Sequence, residues 1–159
     1  MSNLVTLAGF SNSGKSTSLK YLNPSETFII SCTNKQLQIP GFRKKYPKVE
    51  IKDGKLVGNW YVNSNYTQIE KILDLISIKR DDIKVVVIDD ANYLITNEFM
   101  NKSSVKGFDK YNEMGNNFFN LINGIKNIEG GKTVYLIMHE DTDENGNVKP
   151  KTIGKLLDD

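Results

Sequence analysis

Apolar and polar positions along this chain alternate between two rhythms. Unbroken apolar runs at Leu4–Ala8, Thr27–Ser31, Lys84–Ile88 and Thr133–Met138 read as buried strands. Between them, apolar residues return every three or four positions, the helical period. Ile69, Ile72, Leu73 and Ile76 mark a helix over 66–78, and Phe118, Leu121, Ile122 and Ile125 mark one face of a longer helix over 108–128. A shorter helix over 16–22 is stopped by Asn23-Pro24-Ser25, and Gly130-Gly131 ends the long one. One hairpin is expected around Asp53-Gly54, joining 49–52 to 55–61, and another around Asn145-Gly146 within 141–151. Residues 32–47 read as a polar stretch, and 152–159 as the start of another helix or strand. Strands alternating with helices predict an α/β fold, a three-layer α/β/α sandwich with a mostly parallel central sheet and added β-hairpins. The 159 residues carry no internal repeat and predict a single domain over 1–159.

In parallel sheets of this kind ligands bind where strands end in their carboxyl direction. The first strand runs into Gly9-Phe10-Ser11-Asn12-Ser13-Gly14-Lys15-Ser16-Thr17, which fits the phosphate-binding loop pattern G-x-x-x-x-G-K-[ST] with nothing missing. Gly9 and Gly14 let the backbone turn tightly, so that the N–H groups of Ser11, Asn12 and Ser13 point into one concavity at a helix start. Lys15 is expected to reach the β- and γ-phosphates, Ser16 to sit on Mg²⁺, and Thr17 to contact the α-phosphate. Phe10 and Tyr21 are expected to pack in the core rather than stack on a base.

The strand 84–88 ends in Asp89-Asp90, an apolar strand closed by an acid. Asp89 is the candidate magnesium acid opposite Ser16, since Mg²⁺ needs only a carboxylate or two beside phosphate oxygens and water. Asp90 is the candidate base for an attacking water, with Glu98, Glu113 and Glu140 as alternatives. His139, the single histidine, ends the next core strand and is a candidate sensor of the γ-phosphate; a satisfied polar strand end is the other reading. One His and one Cys cannot build a four-ligand zinc site.

Composition narrows the field. A net charge of +2 gives no general affinity for nucleic acid, although Arg43-Lys44-Lys45, with Tyr46 and Lys48 beside it, is a local basic cluster that could hold phosphates and stack a base. The lone Cys32 rules out an intrachain disulfide and fits a reducing compartment. No apolar run is long enough to cross a bilayer, and the first strand begins too early for a targeting arm, so a cytoplasmic location without membrane association is expected. Arg43 and Arg80 are the only arginines, too few for the arginine-rich lid of a nucleotide or small-molecule kinase. Thr33-Asn34-Lys35-Gln36 lacks the aspartate of a guanine-reading motif, which favours ATP over GTP.

The chain resembles the phage-encoded RecA-like ATPases of the AAA superfamily, a group related to single-strand-annealing ATPases. The carriers are the Gly9–Thr17 loop, the 27–46 segment, Val85–Asp90, Val134–Glu140 and Lys149–Leu156. The resemblance implies a RecA-like core, ATP and Mg²⁺ as ligands, and a homo-oligomeric ring or filament in which Lys149, Lys151, Lys155 or Arg43 of one copy completes a neighbour's site. It also implies a role in DNA recombination, replication or repair in the host bacterial cytoplasm, with single-stranded DNA as a partner. Relatives continue with a further strand, so a partner protein at the C-terminal edge is expected if that strand is missing. A non-hydrolysing nucleotide-binding module or virion component is the alternative.

Overall fold

Five strands lie parallel in one sheet in the order β1 (Asn3–Gly9), β7 (Thr133–Thr142), β6 (Val85–Asp89), β2 (Thr27–Ser31) and β5 (Trp60–Val62). The computed structural model describes residues 1–152. A sixth strand, β8 (Val148–Pro150), folds back antiparallel on the end of β7 in the hairpin expected around Asn145-Gly146. The registers bring Gly9 beside His139 and Ser31 beside Asp89. All four strands that carry candidate chemistry, β1, β7, β6 and β2, are therefore consecutive neighbours in the sheet.

Helices cover both faces. On one face α3 (Tyr66–Lys79), α4 (Asn92–Asn101) and α5 (Asp109–Lys126) pack on Phe28, Ile30, Val86, Ile88, Val134 and Leu136. The opposite face, read from Ile29, Val87 and Ile137, is covered by Leu19 of a 3₁₀ turn and by Leu37, Ile39, Phe42 and Tyr46 around α2 (Phe42–Lys45). The central strands thus bury both sets of alternating side chains, and this is why they read as continuous apolar runs. The mostly parallel sheet with flanking helices is the α/β architecture expected. Helix α3 starts where Asn65 caps it, its Oδ1 accepting from the Gln68 N–H at 3.2 Å.

Four local expectations are corrected. The run at 4–8 forms β1, but among the described residues it lies at the sheet edge: there it pairs only with β7 and is mostly exposed, Val5 to 37%. An apolar run cannot tell a central strand from one with a single neighbour. The hairpin arm expected over 55–61 is divided. β3 (Glu50–Lys52) and β4 (Lys55–Val57) make the hairpin, and Trp60–Val62 leaves it to join β2 in parallel. Gly58 makes the division with φ +87, and a Cβ there would lie 2.4 Å from the Lys48 carbonyl oxygen. Gly58→Ala should therefore cost about 2–4 kcal/mol of stability. A urea midpoint equal to that of the parent would contradict this. The polar stretch 32–47 contains α2, and α4 had no expectation at all. The helix expected over 16–22 is α1 (Lys15–Ser18) followed by the 3₁₀ turn Leu19–Tyr21. Beyond Thr152, the element expected over 152–159 lies outside the described residues, as does Lys155.

Candidate functional site

The loop between β1 and α1 curls around its own lysine. Asn12 at φ 63 and Gly14 at φ 89 turn the backbone through left-handed conformations, and the Ser13 N–H donates to the Phe10 carbonyl at 3.2 Å. Lys15 Nζ donates to the carbonyls of Gly9 at 2.6 Å and Phe10 at 2.5 Å. Carbonyl oxygens are weak partners for an ammonium compared with phosphate, so an arriving polyphosphate can take this group over.

Across the loop Ser16 Oγ donates to Asp89 Oδ1 at 2.8 Å, bridging residues far apart in the chain. Asp89 is 4% exposed. Burial, with the negative charge of Asp90 adding to it, pushes its carboxyl up to about 6, while the Ser16 hydroxyl and the Lys35 charge pull the other way. A buried carboxylate short of positive charge, touching a hydroxyl at a pocket wall, is a donor set suited to a hard divalent cation such as Mg²⁺.

Asp90 stands next, at φ 57, a backbone region rarely used by residues other than glycine. Its two oxygens face different neighbours: Thr33 Oγ1 donates to Oδ2 at 3.3 Å, and His139 Nε2 lies 3.7 Å from Oδ1. The His139 backbone N–H reaches Asn92 Oδ1 at 3.4 Å, so the first residue of α4 is tied to β7 at the level of the pocket. Glu98 and Glu113, weighed as alternative acids, are elsewhere. They share Lys102 Nζ at 2.7 and 2.8 Å, where the C-terminal part of α4 meets the start of α5. Glu140 does not line the pocket.

These groups open onto one pocket of about 260 Å³ that contains Ser11 to Thr17, Asp89, Asp90 and His139. The structure thus brings together Ser11 to Thr17, Asp89, Asp90 and His139; Gly9 ends β1 directly beneath the loop, and the alternative acids Glu98, Glu113 and Glu140 stand apart. Sequence reasoning missed the far wall: Thr33, Lys35, Gln36 and Gln38 from the segment after β2, and Tyr93 from α4. The signal was present, since β2 ends beside β6, but only strand order reveals it. The expectation that Phe10 and Tyr21 pack in the core is overturned, as they are 66% and 81% exposed. Tyr46 corrects the opposite way. It is 1% exposed and packs on Phe42, with ring centroids 5.3 Å apart, so it cannot stack a base beside Arg43–Lys45. Cys32 is buried and its thiol pKa is raised by that burial and by Asp89 and Asp90, so it is no nucleophile. Among the described residues no helix is long and apolar enough to cross a membrane.

A search of curated proteins finds no match. The family model of the AAA domain, by contrast, matches residues 2–156, and its span takes in the phosphate loop, the Asp89 strand and the His139 strand alike. With nearly the whole chain matched, this protein belongs to the AAA domain family and is a P-loop ATPase domain of the AAA type.

Proposed function

We propose that the chain is a Mg²⁺-dependent ATPase of the phage RecA-like type, a single domain that serves DNA recombination, replication or repair. The observation that carries this reading is the contact of Ser16 with Asp89 at 2.8 Å at the mouth of the Lys15 loop, with Asp90 and His139 on the same pocket. The strand order supports the RecA-like part. β7 is inserted between the loop strand and the Asp89 strand, and so delivers His139 to the crevice.

In this mechanism the loop N–H groups of Ser11 to Gly14 and the start of α1 cradle the phosphates, and Thr17 borders the α-phosphate. Ser16 and Asp89 would hold Mg²⁺, which would supply positive charge against the phosphates. Lys15 leaves the Gly9 and Phe10 carbonyls for the phosphate oxygens. Asp90 orients a water for in-line attack and takes its proton as the new P–O bond forms and the β–γ bridge breaks, the departing charge remaining on ADP. His139, beside Asp90, senses the terminal phosphate. Two features favour a second reading, a nucleotide-binding module without turnover: Asp90 is shorter than the usual glutamate, and Thr33 and His139 already flank both its oxygens. A kinase is disfavoured, since Arg80 is bound to the Gly58 carbonyl, Asn59 and Asp82 and neither arginine lines the pocket.

Phosphate release from ATP by the purified chain, measured with and without Mg²⁺ and single-stranded DNA, tests the reading. Mg²⁺-dependent release that DNA stimulates supports it. ATP binding without release supports the module. Arg43, Lys44 and Lys45 are exposed on α2 and form the candidate DNA contact. Reversing all three to Glu should weaken single-strand binding and flatten its log–log salt slope by about 2, at roughly 0.7 per phosphate contact. An unchanged slope removes this site. Oligomerisation into a ring or filament, with Arg43, Lys149 or Lys151 reaching a neighbour's pocket, belongs to the same proposal.

A further inference from the structure

The pocket wall facing the phosphate loop carries a cation that the mechanism above does not use. Lys35 lies in the segment that follows β2 and lines the same cavity as Lys15, Asp90 and His139. The segment is anchored: Leu37 is 6% exposed and Ile39 is 4% exposed, both packed beneath the sheet, and the Ile39 N–H and Phe42 N–H close tight turns onto Leu37 and Ile39. Lys35 is thus two residues from a buried foothold, which limits where its ammonium can travel. Among the described residues it has no ion pair within 4.0 Å, and its charge is felt by Asp89. The two arginines are committed elsewhere, Arg80 to backbone and Asp82, Arg43 to the outer face of α2.

We propose that Lys35 is a second phosphate-binding cation supplied in cis, closing on the terminal phosphate from the side opposite Lys15. This rests on the nucleotide-binding reading above and adds to it a residue that distinguishes a triphosphate from a diphosphate. The geometry gives the reason. In the nucleotide-binding reading the loop after β1 would cradle the inner phosphates and Ser16 and Asp89 would hold the cation; β2 ends beside β6, so Lys35 stands across the pocket with Asp89, Asp90 and His139, on the side where that reading puts the terminal phosphate. A lysine there touches ATP and leaves ADP untouched.

The test is binding, read by calorimetry with Mg²⁺, of a non-hydrolysable ATP analogue and of ADP. The chain itself should prefer the triphosphate. Lys35→Ala should lose about tenfold of that preference, the size of one charge-assisted contact, with ADP affinity unchanged, and Lys35→Arg should restore most of it. The preference should not vary with protein concentration, as it would if a neighbour's cation were responsible. A preference that survives in Lys35→Ala overturns the proposal and leaves the ATPase reading intact. So does a parent chain that binds both nucleotides equally. A parent chain that binds neither overturns both.

Discussion

Lys15→Ala should lower phosphate release from ATP about 10²–10³-fold, the usual cost of removing one charge placed where the transition state gathers it. The loss should fall on kcat/KM, with ATP affinity also reduced. Protein stability should scarcely change, because Lys15 Nζ bonds only to loop carbonyls and the Ser13 hydroxyl at a half-exposed site. That separation distinguishes a functional lysine from a structural one. Phosphate release and a melting curve on the same preparation check it, and release equal to that of the parent would remove the loop from the mechanism.

The second large effect has the opposite sign for fold and function. Asp89→Asn should raise the stability of the nucleotide-free protein at neutral pH and abolish the Mg²⁺ dependence of nucleotide binding. In the folded chain burial holds the carboxyl up to about 6, against 3.8 for an ordinary Asp. Between those values the folded state binds the proton that the unfolded chain has released, so stability falls as pH rises through this window and stays low above it. The total is about 3 kcal/mol at pH 7.5, or about 6–12 °C in Tm for a domain of this size. Asparagine carries no charge to bury, and its Oδ1 still accepts from Ser16. The Tm advantage of Asp89→Asn should therefore be present at pH 7.5 and absent near pH 4, and adding Mg²⁺ with ATP should reverse it in favour of the parent. An advantage that does not depend on pH would place its origin elsewhere. Such a carboxylate is destabilising in the fold and is repaid by its ligand.

How much of this could be read from residues alone depended on whether the relevant signal was local. The phosphate loop is contiguous, so Gly9 to Thr17 were legible, and Asp89 was legible as the end of a strong apolar strand; His139 was legible as the residue after an apolar run, although β7 continues past it to Thr142. The edge position of β1 was not, because neighbours are a property of strand order. β5 was lost inside a hairpin because three residues carry too little pattern, and Gly58, which separates it, looks like any turn glycine until Lys48 is seen above it. α4 offers only Leu94, Ile95 and a half-buried Phe99 as its apolar face. Tyr46 looked available beside lysines, yet it is buried against Phe42, which in turn packs on Trp60. Thr33 and Lys35 had no motif to announce them. They matter because β2 happens to end next to β6.

The register of β1 has a consequence for how the chain comes to be folded at all. Its only described strand partner is β7, with Asn3 opposite Thr133 and Gly9 opposite His139, so β1 waits for a strand made far later along the chain. β2, β5, β6 and the helices that pack on them can assemble earlier, whereas the phosphate loop has no sheet to hang from until β7 emerges, roughly ten seconds or more into translation. Closing so long a loop is entropically slow as well as late. Competence to bind nucleotide therefore arrives only once β7 has been made, and a nascent chain stalled before residue 133 would carry the complete loop motif and no site.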